Sequence, residues 1–328
     1  MTSPASGMES QPSGVAASRP PDHRPPACRT IGGMTGRPQA EATPDPFVAH
    51  RGLLFTVAYE MLGSVADAED AVQETWLRWA NVDQAQIHDP RAYLVRIVTR
   101  QALNRLRSTK RRREEYVGQW LPEPLLTTPD VAEDVEFAES VSIAMLTVLE
   151  TLGPAERAVF VLHEVFGTPY SEIAEALGKS PAAVRQIGHR AREHVAARRP
   201  RMRVDRAEQR KAVEKFLAAV STGDVKGLLE VLAPDVMAIS DGGGVVAAVR
   251  EPIIGAEAVA AFLAMVSRAP EFAAAITWLN GMPGIRIDAA GEPTVVSVAV
   301  EGGRITRIYA IRNPHKLRWL DKAADLRR

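Results

Sequence analysis

The chain has 328 residues, of which 46% are hydrophobic and 24% are charged, and its formal net charge is zero. This composition is typical of a globular protein of two or three domains, and the neutral total excludes a basic coat for nucleic acid. The single cysteine, Cys28, excludes a disulfide framework and a cysteine-based metal site. The most apolar run, residues 258–266, is much shorter than the roughly 20 residues that cross a bilayer. We therefore expect a cytoplasmic protein with no membrane contact, no metal and no other cofactor.

The composition changes near residue 46. Residues 1–45 are rich in Pro, Ser, Gly and Ala and contain almost no large apolar side chains, so we expect a disordered extension. From Phe47, apolar residues recur at helical spacing up to Gly63, which predicts a first helix. Ser64 or Asp67 caps a second helix, whose acidic residues face outward. Acidic side chains in the first turn of a helix are stabilised by the helix dipole. We therefore interpret these acids as helix-stabilising residues and not as a metal or acid–base site.

A basic helix follows the acidic one. Asp89 and Pro90 open it, and apolar residues repeat along one side from Tyr93 to Leu106. Its other side and its end carry arginine and lysine as far as Arg113. Packing alone does not explain a cationic helix beside an acidic one. The basic helix suits a phosphate backbone, and the acidic helix suits a cationic protein partner.

Residues 114–139 are predicted to form a linker, because Pro122, Pro124 and Pro129 exclude a continuous helix. The linker is unusually apolar around Trp120 and Leu121. Side chains of that kind need to be covered, so we expect the linker to dock on another part of the chain.

Residues 168–199 predict a helix-turn-helix. Gly178 ends its first helix, and Ser180 and Pro181 begin the second. The basic residues of the second helix point away from its apolar stripe, as expected for a helix that enters the DNA major groove. The alternative is an ordinary helical hairpin with a solvated basic face. Two helices in residues 140–166, interrupted at 153–154, precede this unit.

The pattern changes again at residue 205. Two amphipathic helices, the second expected to end at Pro234, lead to Asp241 and three glycines. A helix at about 256–268 and four strand-like runs separated by turn residues complete the chain. Helices first and strands last predict an α+β domain with a curved antiparallel sheet.

Three sequence blocks resemble regions 2 and 4 of bacterial RNA polymerase sigma factors of the extracytoplasmic-function class: DAEDAVQETWLRW, DPRAYLVRIVTRQALNRLRSTKRR and PYSEIAEALGKSPAAVRQIGHRAR. The WLPEP, DGGG and NPHKL motifs resemble the J-like subfamily, which carries a fused C-terminal SnoaL-like (NTF2-like) domain. The implied fold is multidomain, with two all-α sigma domains, the second a helix-turn-helix, and a C-terminal α+β NTF2-like/SnoaL-like cone. The expected bounds are 1–45 for the extension, 46–113 for region 2, 114–139 for the linker, 140–203 for region 4, 205–320 for the SnoaL-like domain and 321–328 for the tail.

The resemblance implies that the protein binds core RNA polymerase, through the beta-prime and beta subunits, and directs transcription initiation at promoter DNA. The implied core-binding residues are Asp67, Glu69, Asp70, Gln73, Glu74, Trp76 and Trp79. The basic helix would read and help melt the minus-10 element, with the candidates Arg100, Asn104, Arg105 and Arg107. The helix-turn-helix would read the minus-35 element, with the candidates Arg185, Gln186, His189, Arg190 and Arg192.

The resemblance also implies that the C-terminal domain packs against the linker and tunes activity in place of a separate anti-sigma protein. The implied contact residues are Trp120, Leu121, Pro122, Glu123, Pro124, Asp241, Gly242, Gly243, Gly244, Asn313, Pro314, His315, Lys316 and Leu317. Three positions depart from the family pattern: Asn104 replaces a common Asp, Val245 a usual Lys and His315 a usual Asp. The loss of one cation at Val245 and one anion at His315 predicts either that the two changes compensate each other or that the contact between the linker and the C-terminal domain is weakened.

Two other functions fit parts of the chain. A SnoaL-like enzyme with a DNA-binding module needs a tuned acid–base pair in an apolar cavity, and its candidates are Asp235, Asp241, Trp278, Asp288, Tyr309 and His315. The inner strand faces are mostly Ala, Val and Ile, so we expect no enzyme. A helix-turn-helix regulator would bind an unknown small ligand in its C-terminal domain, but it would not need residues 47–113.

Overall fold

The computed structural model describes residues 45–198 and 206–328, so nearly all of the predicted extension lies outside the described residues. Residues 45–198 form eight α-helices: α1 (Pro46–Leu62), α2 (Val65–Trp79), α3 (Pro90–Glu114), α4 (Val135–Val141), α5 (Ile143–Leu149), α6 (Pro154–Phe160), α7 (Tyr170–Leu177) and α8 (Pro181–Arg198). A π-helical turn at Val161–Val165 extends α6. Within the two described ranges, no helix is both long enough and apolar enough to cross a membrane.

The helix boundaries follow the capping signals of the sequence. Gly63 ends α1 with a φ of 64°, and Gly178 ends α7 with a φ of 63°. Both are left-handed conformations that glycine adopts without strain. Ser64 Oγ accepts a hydrogen bond from an amide in the first turn of α2, and Ser180 Oγ accepts one from the Ala183 amide. The predicted helix-turn-helix is confirmed as α7 and α8.

The predicted linker is only partly extended. Residues 115–128 form no helix, but most of α4 lies inside the range that we assigned to the linker, which ended at residue 139. The last proline, Pro129, begins a short 3-10 turn, so prolines exclude a continuous helix only up to that point. Asp134 then caps α4 by accepting a hydrogen bond from the Phe137 amide at 3.0 Å.

The C-terminal domain is α+β, as predicted. Its elements are α9 (Arg206–Thr222), α10 (Val225–Val231), β1 (Leu232–Asp241), β2 (Ile253–Ile254), α11 (Ala256–Val266), β3 (Ala273–Leu279), β4 (Met282–Ala289), β5 (Glu292–Glu301), β6 (Arg304–Ile311) and α12 (Pro314–Leu317). The strand order is β2-β1-β6-β5-β4-β3. β1 and β6 are parallel, so the sheet is mixed and not wholly antiparallel. The helix expected to end at Pro234, α10, ends earlier, at Val231, and Pro234 lies within β1. The residue before a proline disfavours the helical conformation, so the helix stops before it.

The sheet is buried on both faces. Along β5, Val296 and Val298 belong to the apolar core beneath α9–α11. The alternate residues Val295 and Ala299 belong to a second core, which also contains Leu121 of the linker and residues of α5. The linker and α5 therefore cover the outer face of the sheet.

A third core joins the helices α1–α8. It runs from Phe47 in α1 to Val195 in α8, and it also contains Leu326 near the C-terminus. From Leu53 to Leu62 every residue of α1 is buried. A helix that is apolar all round packs on several sides at once, so α1 is central to this core.

Candidate nucleic-acid interface and interdomain contact

The acidic helix α2 and the basic helix α3 are joined by ion pairs. Guanidinium nitrogens of Arg105 lie 2.7 Å from a carboxylate oxygen of Glu74, 3.3 Å from one of Asp70 and 3.6 Å from one of Asp67. A residue predicted to contact DNA is thus held among three residues predicted to contact polymerase. Because its charge is neutralised locally, Arg105 suits a phosphate less well than the exposed Arg107 does.

The remaining core-binding candidates divide into exposed and buried residues. Gln73 is exposed, Trp76 is 40% exposed, and Glu69 pairs with Arg51 at 2.6 Å. Trp79 is only 1% exposed, and its Nε1 donates a hydrogen bond to an Asp45 carboxylate oxygen. Trp79 is therefore a core residue of this structure, with almost no surface available for a polymerase contact.

One minus-10 candidate, Arg100, lies where α3 meets the helix-turn-helix. The Arg100 guanidinium donates hydrogen bonds to the carbonyl oxygens of Glu175 at 2.9 Å and Ala176 at 3.1 Å. These carbonyls close the C-terminal end of α7, where the helix dipole favours a cation. Arg96 adds an ion pair with the Glu175 carboxylate at 3.4 Å. Asn104, by contrast, is exposed.

A cleft of about 370 Å³ opens beside this contact. The loop before α3 and the start of α3 form one wall, including Ile87, His88 and Tyr93. Glu172 and Glu175 of α7 form the other wall. In the described arrangement, two carboxylates therefore face the loop that was predicted to meet DNA.

The recognition helix α8 presents its polar face to solvent. Arg185, Gln186, His189 and Arg190 are all exposed, while Val184, Ile187, Ala191 and Val195 are buried. The arrangement matches the stripe expected of a helix that enters the major groove. Arg192 differs, because its guanidinium donates to Glu164 and to the Tyr170 hydroxyl, both at 3.0 Å. Those hydrogen bonds raise the pKa of Arg192 and hold its side chain against the body of the domain.

A buried carboxylate connects the linker to the C-terminal domain. Asp241, at the end of β1, is 0% exposed. Its Oδ1 accepts hydrogen bonds from the Tyr116 hydroxyl at 2.6 Å and the Gly243 amide at 3.1 Å. Its Oδ2 accepts from the Leu121 amide at 2.8 Å and from Lys316 Nζ at 2.7 Å. The WLPEP, DGGG and NPHKL motifs therefore meet at one side chain.

Lys316 is the cation of this contact and is 3% exposed. Its Nζ also donates to the Leu121 carbonyl oxygen at 2.5 Å and lies 3.4 Å from the centre of the Trp120 ring. We call the group formed by Tyr116, Trp120, Leu121, Asp241 and Lys316 the latch. Its two charges are paired and hydrogen-bonded, as buried charges need to be.

The two departures from the family pattern that lie in the C-terminal domain are outside the buried pair. Val245 is 56% exposed, and the His315 side chain is also exposed. His315 contributes only its backbone amide, which donates to the Asn313 side-chain oxygen at 3.0 Å. The missing cation and anion therefore do not remove either charge of the latch.

Glu123 of the linker extends the contact to α2. One carboxylate oxygen accepts from the Val65 amide at 2.7 Å, and the other accepts from the Ser64 hydroxyl at 2.9 Å. The carboxylate thus caps the N-terminus of the acidic helix, where the helix dipole favours an anion. The backbone of Glu123 adds two bonds, one from the Tyr59 hydroxyl at 2.6 Å and one to the Gly63 carbonyl oxygen at 2.9 Å.

Asn280 was not predicted, although it joins three parts of the chain. It lies in the β3–β4 turn with a φ of 53°, and it is 0% exposed. Its Nδ2 donates to the Tyr59 hydroxyl of α1 at 2.7 Å and to the Val141 carbonyl oxygen of α4 at 2.8 Å. Its Oδ1 accepts from the Leu125 amide of the linker at 2.9 Å. An asparagine before a glycine predicts an ordinary turn, so nothing in the sequence indicated that Asn280 would join these parts of the chain.

Glu60 of α1 is also buried at the meeting point of the helices, beside Ser140 and Arg157. Ser140 Oγ lies 3.0 Å from Glu60 Oε1 and 2.8 Å from the Phe137 carbonyl oxygen, so a hydroxyl with one hydrogen faces two acceptors. A protonated Glu60 resolves this conflict, because the acid then donates to Ser140 and Ser140 donates to Phe137. Burial raises the pKa of Glu60 to about 8, which favours the same neutral form.

The enzyme candidates do not converge on a cavity. Asp241 belongs to the latch, Tyr309 faces the linker on the outer side of the sheet, and Asp288 pairs with Arg286 at the surface. Asp235 and His315 are exposed, and Trp278 is half-buried. The buried residues between the sheet and α9–α11 are aliphatic side chains and Phe216. In the described ranges, no group of three His, Cys, Asp or Glu side chains is placed to hold a metal ion.

Two regions of the chain match known family models. The family model of sigma-70 region 2 matches residues 47–112, and that of sigma-70 region 4 matches residues 142–195. The two matched segments contain nearly all of α1–α3, all of α5–α7 and most of α8. They leave the linker and the C-terminal domain unmatched.

Full-length relatives cover the remainder. The chain is 38% identical over 286 residues to the ECF RNA polymerase sigma factor SigJ of Mycobacterium tuberculosis, covering 82% of this chain and 91% of the relative. It is 34% identical over 274 residues to the probable ECF RNA polymerase sigma factor SigI of the same species, covering 82% and 92%. The crystal structure of M. tuberculosis SigJ matches with a TM-score of 0.70 at 36% identity, covering 84% of this chain and 98% of that chain.

Proposed function

Because the chain belongs to the extracytoplasmic-function sigma factors of bacterial RNA polymerase, we propose that it binds core polymerase and directs transcription initiation at promoters. In this proposal α2 supplies the core-binding face, α3 and the loop before it the minus-10 face, and α8 the minus-35 face. The acidic α2 complements a cationic partner surface, and the exposed arginines of α8 suit DNA. The protein then acts in the cytoplasm, where promoter and polymerase meet.

The described arrangement is closed with respect to promoter binding. The minus-35 and minus-10 elements lie about 25 base pairs apart, which is roughly 85 Å along B-DNA. The helix that carries the minus-10 face, α3, contacts α7, which packs against the minus-35 helix α8, since an Arg100 nitrogen of α3 lies 2.9 Å from a carbonyl oxygen of α7. Helical domains that touch in this way cannot span such a distance. The domain of α1–α3 must therefore separate from that of α6–α8 before both elements are bound.

We infer that the C-terminal domain controls this opening. The observation that carries the inference is the latch, in which a wholly buried Asp241 binds both the linker backbone and Lys316. Asn280 of the β3–β4 turn adds a contact to α1, and Glu123 of the linker adds one to α2. The domain then does the work of a separate anti-sigma protein. None of the acid–base candidates belongs to its aliphatic core, so we propose a regulatory role for this domain.

Run-off transcription with purified core polymerase tests the proposal. The proteins to compare are the full chain, a truncated chain that ends at Met202, and the full chain carrying Lys316→Met. Lys322→Met is the matched control, because Lys322 lies on the same C-terminal segment and is exposed. We expect promoter-specific transcripts from the full chain, more from Lys316→Met and no change from Lys322→Met.

Two failures would have different meanings. If no protein binds core polymerase or yields a promoter-specific transcript, the sigma assignment for this chain is wrong. If the full chain is active but Lys316→Met and the truncated chain behave like it, the sigma assignment holds and control through the latch is wrong.

A further inference from the structure

The last five residues cross back from the C-terminal domain onto the helices. The Ala324 amide donates to the Leu126 carbonyl oxygen at 2.8 Å, and the Arg327 amide donates to Thr56 Oγ1 of α1 at 3.0 Å. Between them Leu326 is 6% exposed and belongs to the core shared by α1–α8. Two backbone hydrogen bonds and one buried leucine therefore hold residues 324–328 against the linker and α1.

The surface of α1 is shaped for this segment. Thr56 is 0% exposed, and its hydroxyl donates to the Gly52 carbonyl oxygen at 2.9 Å, which leaves an oxygen lone pair for the Arg327 amide. A Cβ atom at Gly52 would lie 3.2 Å from the Arg327 side chain and 3.3 Å from the Asp325 carbonyl oxygen. Glycine at this helical position therefore gives the C-terminal segment room to lie against the helix.

The segment also reaches α4. Arg328 Nε lies 3.1 Å from a carboxylate oxygen of Asp134, the residue that caps α4. We propose that residues 324–328 form a strap that holds α1 against the linker and α4, as a second restraint on opening. The strap rests on the proposed function, in which the domains of α1–α3 and α6–α8 separate. It is distinct from the latch, because none of its contacts involves Asp241 or Lys316.

Hydrogen exchange and run-off transcription on the full chain test the strap. Leu326→Asp places a charge in the apolar core, and Leu326→Met is the matched control because it keeps the size and the apolar character. Gly52→Val approaches from the other side by filling the room on α1. We expect the Ala324 and Arg327 amides to be protected in the parent and in Leu326→Met. In Leu326→Asp and Gly52→Val they should exchange at least about tenfold faster, with faster exchange in α4.

Transcription separates the strap from the proposed function. We expect Leu326→Asp and Gly52→Val to give severalfold more transcript than the parent. If the two amides exchange freely in the parent, or if Lys316→Met activates while both strap variants do not, the strap is refuted and the proposed function stands. If no protein yields transcript or binds core polymerase, the proposed function fails, and the loss of the strap's regulatory role follows from it.

Discussion

Replacing Lys316 with methionine isolates the charge of the latch. Methionine keeps an unbranched apolar side chain of similar length, so the packing against Trp120 is largely retained. The change leaves the Asp241 carboxylate buried without a cation. Removing one partner of a buried ion pair typically destabilises a protein by about 3–5 kcal/mol.

The remaining contacts indicate the lower end of that range. Asp241 keeps three donors after the substitution: the Tyr116 hydroxyl, the Leu121 amide and the Gly243 amide. Hydrogen bonds to a charged group contribute about 1.5–3 kcal/mol each, so the carboxylate stays partly satisfied. We therefore expect a local destabilisation of about 3 kcal/mol, which corresponds to about 150-fold in the equilibrium between docked and undocked linker.

Amide exchange at Leu121 measures this equilibrium directly, because its N–H donates to the Asp241 carboxylate. We expect exchange in residues 117–125 to be about 100-fold faster in Lys316→Met and unchanged within twofold in Lys322→Met. The double variant Asp241→Asn/Lys316→Met removes both charges and should recover part of the lost protection. Exchange in Lys316→Met within threefold of the parent would refute the reasoning, because the ion pair would then contribute nothing to linker docking.

Three further predictions concern other buried or charged groups. A carboxyl whose pKa is raised in the folded protein binds its proton more tightly there, so the stability of the parent falls as pH rises from about 4.5 towards 8. Glu60→Gln removes this titration. Its Tm, measured by calorimetry, should therefore gain several degrees over that of the parent between about pH 5.5 and pH 8. An unchanged difference would mean that Glu60 is ionised throughout. Asn280→Ala leaves the Val141 carbonyl and the Leu125 amide without their partner. It should lower the free energy of unfolding, measured in urea, by about 2–4 kcal/mol. A decrease below about 0.5 kcal/mol, the scale of a neutral surface substitution, would contradict the bridging role of Asn280. Arg190→Ala should weaken promoter binding of the holoenzyme and lower the slope of log K against log salt by about 1, and an unchanged slope would remove Arg190 from the DNA contacts.

Local features of this fold were predictable from the sequence. Gly63, Gly178 and Ser180 act through their own backbone or through an amide three residues away, so the boundaries of α1, α7 and α8 follow from nearby residues. The motifs of the latch were also predicted to meet, although that expectation came from the family resemblance. The pairing of Asp241 with Lys316 became visible only in the folded chain.

Long-range contacts were missed, for identifiable reasons. Periodicity places Trp79 on the buried side of α2, while the family resemblance made it a candidate polymerase contact. The packing of Tyr93 and Asp45 around it leaves it almost no exposed surface. Residues 232–241 were not predicted to form a strand, so the parallel pairing of β1 with β6 was not expected. Leu326 follows a polar stretch near the end of the chain, where a single leucine carries no periodic signal.

The continuous core of α1–α8 has a consequence for affinity. Leucine, valine and aromatic side chains from both helical domains belong to one cluster, so separating the domains exposes apolar surface to water. A partner that binds only the separated form sees its apparent affinity reduced by the fraction of molecules in that form. Every tenfold preference for the closed form therefore weakens apparent polymerase binding tenfold while leaving the contact residues untouched. Substitutions deep in this core, far from any partner, can thus set how much polymerase the protein captures.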